Sequence, residues 1–195
     1  MSAFIKDLPL NHGRSDLDRT LAYSLSLLYD LPAGKGKKWL HSGPLSWIAG
    51  GWQVGGILSI QSGPPLTHTV TPDTQNNTGG YRGDRVGDAN LAESDRTVDR
   101  WFNTGFVVPG PAGVYVNAGR GLIDGPGWKN FDFQASKDFP MLWEGHTLQF
   151  RFEAFNLTNT THFGPPNLQI GNQNVGKITV ADAPRIIQFA LKYTY

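Results

Sequence analysis

The chain has 195 residues, a formal net charge of +1 and no cysteine. That length can bury a core of its own. The near-neutral charge argues against a nucleic-acid partner, which needs clustered Lys and Arg. The absence of Cys excludes a disulfide scaffold, thiolate zinc sites and thiol catalysis.

Met1–Asp18 carries Lys6, Asp7, Arg14, Asp16 and Asp18 and has no apolar core, so no signal peptide is read there. The first predicted strand is Arg19–Asp30. Leu21, Tyr23, Leu25, Leu27 and Tyr29 form one face, and Thr20, Ala22, Ser24, Ser26 and Asp30 most of the other. The second spans Gly51–Val70, with Trp52, Val54, Gly56, Leu58 and Ile60 alternating with Gln53, Gly55, Ile57, Ser59 and Gln61. Pro64 and Pro65 must bend it or split it in two, because proline cannot donate to a ladder. The third is Trp128–Phe139, with Phe131, Phe133 and Ala135 opposite Asp132, Gln134 and Ser136. The fourth is His146–Asn156, with Leu148, Phe150, Phe152 and Ala154 opposite Gln149, Arg151 and Glu153. The last is Arg185–Tyr195: Ile187, Phe189, Leu191, Tyr193 and Tyr195 on an aromatic, uncharged face, and Ile186, Gln188, Ala190, Lys192 and Thr194 on the other. No comparable run of helical period is read.

A bulky apolar face, and a terminal strand ending Tyr-x-Tyr, are the pattern of an outer-membrane barrel strand. The predicted fold is all-β: antiparallel up-and-down strands forming an open, curved part of a transmembrane β-barrel with two long outer loops. The runs are roughly 10–12 residues, against about 5–6 for soluble strands. The connections Leu31–Gly50 and Pro140–Gly145 are shorter, and Thr71–Gly127 and Leu157–Pro184 are long. If the last strand descends to the periplasm, both long connections fall outside and the shorter pair inside, although Leu31–Gly50 is long for a turn. Tyr29, Trp47, Trp52, Trp143, Tyr193 and Tyr195 then lie near the inner interface, where amphipathic rings collect, and Trp128 near the outer end of its strand. Lys137 points to the lipid side by alternation, close enough to the inner end for its stem to snorkel.

Two other readings share parts of this pattern. A soluble or secreted β-sandwich would also alternate, and as a carbohydrate-binding module it would use Trp101, Tyr81 and Trp128 as stacking platforms. The uncharged stretch Trp39–Pro72 suggests a membrane helix, but its apolar centre Trp47–Ile60 is shorter than about 20 residues and carries four glycines.

Particular residues carry a family resemblance. Gly51-Trp52-Gln53-Val54-Gly55-Gly56-Ile57, followed by Gln61-Ser62-Gly63-Pro64-Pro65-Leu66-Thr67, resembles the barrel of Oar-like TonB-dependent outer-membrane receptors. So does Asn117-Ala118-Gly119-Arg120 leading to Gly125-Pro126-Gly127. Phe150-Arg151-Phe152-Glu153-Ala154-Phe155-Asn156-Leu157-Thr158-Asn159 with Phe163-Gly164-Pro165-Pro166-Asn167 is similar to the penultimate-strand signature, and Pro184–Lys192 to the closing strand. The resemblance implies a Gram-negative outer-membrane location and a C-terminal slice of a transport barrel of about 22 strands closed around a plug. It divides the chain into 1–18, a leading loop or remnant of an upstream barrel loop, and 19–195, the C-terminal barrel segment. It implies outer-membrane lipid, the remaining barrel and plug, the TonB system and the outer-membrane assembly machinery as partners. Phe189, Leu191, Tyr193 and Tyr195 would be the C-terminal assembly signal.

No catalytic constellation is read and no cofactor is expected. His12, His41, His68, His146 and His162 show no short metal-ligand spacing. Ala33-Gly34-Lys35-Gly36-Lys37-Lys38 lacks the Ser or Thr of a phosphate loop. Asp84, Asp88, Asp95 and Asp99 with Asn77 and Asn90 could offer oxygens to calcium but match no regular repeat, and polar surface is the favoured account. The acceptor sequences at Asn76 and Asn156 are set aside as glycosylation sites. Asp132, Gln134, Gln149, Arg151, Glu153, Gln188 and Lys192 would point into the lumen, as a network against the plug before any substrate contact. The outer-loop residues Tyr81, Arg82, Arg85, Trp101 and Phe102 are the expected place for ligand contact.

Overall fold

The computed structural model describes residues 12–34, 37–39, 43–73, 81–141 and 145–195. The chain divides into two compact units, a wall unit (Ala22–Ile60, Lys129–Thr161, Ala183–Tyr195) and a loop unit (Gln61–Trp128 and His162–Asp182 with the leading residues up to Leu21). Of the residues singled out in the sequence, Lys6, Asp7, Lys35, Gly36, His41, Asn76, Asn77 and Trp143 lie outside the described residues.

Five long strands carry the wall: β1 (Ala22–Asp30), β2 (Trp52–Gln61), β8 (Trp128–Pro140), β9 (Thr147–Phe155) and β11 (Ile186–Thr194). They form one open sheet in the order β1-β2-β8-β9-β11, so each long strand pairs with the next along the chain. The ladder is antiparallel. Phe133 pairs with Ala154 and Lys137 with Phe150 between β8 and β9, and Phe189 with Phe152 and Leu191 with Phe150 between β9 and β11. Between β1 and β2, the Leu31 amide donates to the Trp52 carbonyl at one end and the Ser62 amide to the Leu21 carbonyl at the other. Except at the second, which ends well before Val70, the long strands fall within a few residues of the predicted ones because their alternation is nearly unbroken.

Alternation and register together give the sheet two chemically different faces. One carries Leu25, Leu27, Val54, Leu58, Phe131, Phe133, Phe150, Phe152, Phe189 and Leu191. Gly56 lies on this face, and a β-carbon there would come within 2.9 Å of the Phe131 ring, so the ring occupies the missing side chain's place. No second sheet covers this face among the described residues of the wall unit. Leu25 is 48% exposed and Phe189 68%. That removes the sandwich reading, in which these residues would be interleaved between two layers.

The predicted second strand splits. β2 ends at Gln61, and beyond Pro64 come β3 (Pro65–Leu66) and β4 (Thr69–Val70), both part of the loop unit. Three two-residue pairings organise that unit: β3 with β7 (Ile123–Asp124), β5 (Asp84–Arg85) with β6 (Val107–Val108), and β4 in parallel with β10 (Gln169–Ile170). The β4–β10 pairing joins the two long connections, which fold as one body. Its core holds Val70, Tyr81, Ala89, Phe102, Phe106, Val107, Ala118 and Ile123, with the Phe102 and Phe106 rings edge to face at 6.2 Å.

One helix was not expected. α1 (Pro44–Ala49) interrupts the connection between β1 and β2, starting with proline in its first turn after Gly43 at φ 86°. Six residues are too few to display a helical period, but the Gly-Pro before it and Gly50 after it are the punctuation of a short helix. This folded insert explains why the connection exceeds an ordinary turn.

Candidate functional site

The side chains read as lumen-facing share the second face of the sheet, and register arranges them in rows. Gln134, Glu153 and Gln188 stand abreast on three adjacent strands, and so do Asp138, Gln149 and Lys192. Glu153 is held from two sides: Arg151 Nη2 lies 2.9 Å from one carboxylate oxygen, and Gln188 Nε2 donates to the other. Gln149 Nε2 donates to Asp138 at 2.8 Å. Asp132 accepts from Asn130 Nδ2 at 2.8 Å and from the Asn156 amide at 2.9 Å. At the first strand pair Gln53 Nε2 donates to Asp30 at 2.9 Å. A shallow groove of about 300 Å³ runs along this face, with Asp132, Gln134 and Glu153 facing Leu28, Ile57 and Phe155. Its carboxylates already have donors, so the face is an ordered hydrogen-bonding lattice. Nucleophilic or acid–base chemistry would need a group left free to react.

The outer-loop residues divide. Tyr81 and Phe102 are 2% and 0% exposed and belong to the loop core. The Tyr81 hydroxyl pairs with Gly110 of the backbone. Burial in the core keeps these two side chains off the loop surface. An aromatic-rich loop of this length buries its rings to gain a core, and these two are spent there. Arg82 Nε donates to the Ala118 carbonyl at 2.9 Å, so it braces the loop. Arg85 is exposed, its Nε donating to the Gly87 carbonyl at 2.8 Å. Trp101 is partly buried. Its indole N–H donates to the Asp124 carbonyl at 2.8 Å, and Arg96 lies 5.7 Å over its ring. Arg14 reaches the Asp124 carboxylate at 2.7 Å, tying the leading segment to the loop unit.

Three of the residues considered for calcium, Asp84, Asp88 and Asn90, accept from loop backbone amides. Asp84 accepts from the Asn117 amide at 2.9 Å, Asp88 from the Asn90 amide at 3.2 Å, and Asn90 from the Asp124 amide at 2.9 Å. Among the described residues no three metal-ligating side chains converge. His68 is fully buried, its Nε2 2.7 Å from the Arg82 carbonyl and its ring edge to face with Phe106 at 4.7 Å. Burial holds its pKa below the ordinary 6.5; the Arg82 carbonyl works against that shift and the Arg82 charge with it. It is neutral at physiological pH.

Several structural groups were missed in the sequence. Asn156, at φ 51°, exchanges two hydrogen bonds with the Thr160 backbone, its Nδ2 donating at 2.9 Å and its Oδ1 accepting at 3.0 Å. Asn159, at φ 52°, accepts from the Arg185 amide at 3.1 Å, and the Leu157 amide donates to the Phe131 carbonyl at 2.8 Å. The Asn-Leu-Thr-Asn turn therefore clasps β8, β9 and the start of β11. Asparagine at both ends is the available signal, since it tolerates the left-handed region better than other side chains.

Lys137 also departs from expectation. It sits on the apolar face opposite Phe150, as alternation requires, but is 5% exposed and does not reach for water. Its Nζ donates to the carbonyls of Trp47 and Ile48, the latter at 2.9 Å, at the end of α1. A helix leaves its last carbonyls unpaired, and a nearby ammonium group satisfies them. The terminal-strand side chains Phe189, Leu191, Tyr193 and Tyr195 share the apolar face, 68%, 70%, 48% and 90% exposed. The Phe189 ring packs at 5.4 Å on Phe152, and Tyr193 stacks on Tyr195 at 6.2 Å.

Residues 3–188 match the family model described as outer membrane beta barrel domain. The chain belongs to that family. Searches of curated proteins and of solved structures returned no match. Membership places this outer-membrane barrel domain in the cell outer membrane and makes its fold a wall and conduit, not a catalytic scaffold. Among the described residues no helix is long and apolar enough to span a membrane.

Proposed function

We propose that this barrel domain is the C-terminal wall segment of an Oar-like TonB-dependent receptor, serving uptake or binding of a large ligand. The observation that carries the proposal is the open up-and-down sheet, apolar on one face and hydrogen-bonded on the other, with every residue of both edge strands exposed. Unpaired edges are a liability unless further strands cover them. In this reading, additional barrel strands pair with β1 and β11, acyl chains cover the apolar face, and a plug faces Asp132, Gln134, Gln149, Arg151, Glu153, Gln188 and Lys192. The TonB system acts through a part of the receptor beyond this chain. The assembly machinery reads Phe189, Leu191, Tyr193 and Tyr195. Residues 19–195 supply the wall, the outer loops and that signal, with 1–18 belonging to an upstream loop. Arg85 and Trp101 are the ligand-contact candidates that remain at the loop surface.

Further support comes from the order of the resembling stretches, which follow the receptor pattern from β2 through β11. The test is the genomic DNA upstream of Met1. An in-frame continuation encoding a plug and further strands, up to a total of about 22, is expected. An upstream region with no such coding sequence, joined to a chain that assembles by itself, overturns the receptor reading. Asp at both Phe189 and Tyr195 should abolish membrane assembly of the full-length protein, and normal insertion would count against the assembly signal.

A further inference from the structure

The connection between β1 and β2 is built as a foot on the apolar face of the sheet. Two side chains of that face grip α1 from below. Lys137 caps the carbonyls of Trp47 and Ile48, and the Trp52 indole N–H donates to the same Ile48 carbonyl at 3.0 Å. The Trp47 ring packs at 5.4 Å on Phe139, and Lys137 Nζ lies 4.8 Å over the Phe139 ring. The preceding segment folds back on the helix: the Gly51 amide donates to the Ala33 carbonyl at 3.0 Å and the Gly34 amide to the Trp39 carbonyl at 2.9 Å. Gly34 and Gly50 meet so closely that a β-carbon on Gly50 would stand 2.3 Å from the Gly34 α-carbon. These contacts tie the described residues before α1 to the end of the helix.

What it leaves outward is specific. Trp39, Trp47 and Ile48 are 59%, 64% and 62% exposed, and Lys37 and Lys38 are exposed in the same connection. Apolar and indole side chains continuous with a membrane-facing sheet, beside basic residues, are the composition of an interfacial segment. Tyr29 and Tyr193 lie near the ends of β1 and β11 at the same end of the sheet.

We propose that the foot is a phospholipid-binding surface. Trp47 and Ile48 enter the boundary between headgroups and acyl chains of the inner leaflet, Trp39 lies at headgroup level, and Lys37 and Lys38 meet lipid phosphates. Lys137 is a positioning residue: it turns a charge on the wall into the clamp that holds the foot at that depth. This rests on the proposed orientation, in which the shorter connections face the periplasm.

This chain has no cysteine of its own. Nitroxide labels are placed on Ile48→Cys, and separately on Phe189→Cys or Leu25→Cys as wall references, in the full-length protein reconstituted in phosphatidylethanolamine–phosphatidylglycerol vesicles. Collision with dissolved oxygen is compared with collision with a water-soluble nickel chelate. The expected result is a deep signature at the wall references and a shallow but lipid-embedded one at Ile48. Lys137→Met should then make the Ile48 label more mobile and several-fold more accessible to nickel, leaving the references unchanged. A deep wall with Ile48 freely accessible to nickel overturns the foot and leaves the barrel reading standing. An unchanged Ile48 label in Lys137→Met overturns the clamp. Wall references lying in water overturn the barrel reading and the foot with it.

Discussion

Replacing Asn156 should expose how much the clasp after β9 contributes. The side chain is 6% exposed, and its two hydrogen bonds to Thr160 are the ones Ala removes. Each is worth about 1 kcal/mol net, more where the orphaned backbone group stays buried. Ala must also adopt φ 51°, which costs a β-carbon-bearing residue about 1–2 kcal/mol. Asn156→Ala should therefore cost about 3–4 kcal/mol. Asn156→Gly loses the same hydrogen bonds without the steric strain, and should be less damaging by about 1 kcal/mol. Guanidinium unfolding in lipid vesicles, followed by Trp fluorescence, measures both. If Ala costs no more than Gly, the positive φ is not a constraint at this position. If both cost under about 0.5 kcal/mol, the turn does not clasp the strands.

Three further outcomes follow from the same contacts. Phe102→Ala opens a cavity in the loop core, and a loss of about 3–5 kcal/mol should appear as faster proteolysis within 61–128. His68 has its pKa lowered by burial, so its contribution is complete above the unfolded value of 6.5 and is lost as pH falls below that toward the folded value. Loop protease resistance should drop in that window for the native chain, and the drop should be smaller in His68→Phe. Arg151→Met breaks an ion pair whose side chains are 43% and 20% exposed, and should change unfolding free energy by no more than about 1 kcal/mol.

The long strands were legible and the loops were not, because only the strands are long enough to show a period. β9 and β11 alternate phenylalanine, leucine or tyrosine with polar residues over most of their length, and a two-residue period sustained that far marks a strand with two unlike faces. The strands of the loop unit are two residues long, so no period exists to detect. Tyr81 and Phe102 look like surface aromatics in a polar stretch, and only the pairing of β4 with β10 shows that a core forms around them. Lys137 was placed on the correct face. Its fate depended on α1, which lies about 90 residues earlier and carries no helical period of its own. The polar face was legible residue by residue, yet the rows that join Glu153 to Gln134 and Gln188 come from register, which alternation alone does not determine.

The most direct measurement is a residue-by-residue scan of β9. Single cysteines at Phe150, Arg151, Phe152 and Glu153 would carry a fluorophore in vesicles of lipid with brominated acyl chains. The account predicts alternation: strong quenching at Phe150 and Phe152, weak quenching at Arg151 and Glu153. Uniform quenching, or stronger quenching at the charged positions, would contradict an apolar face built for lipid.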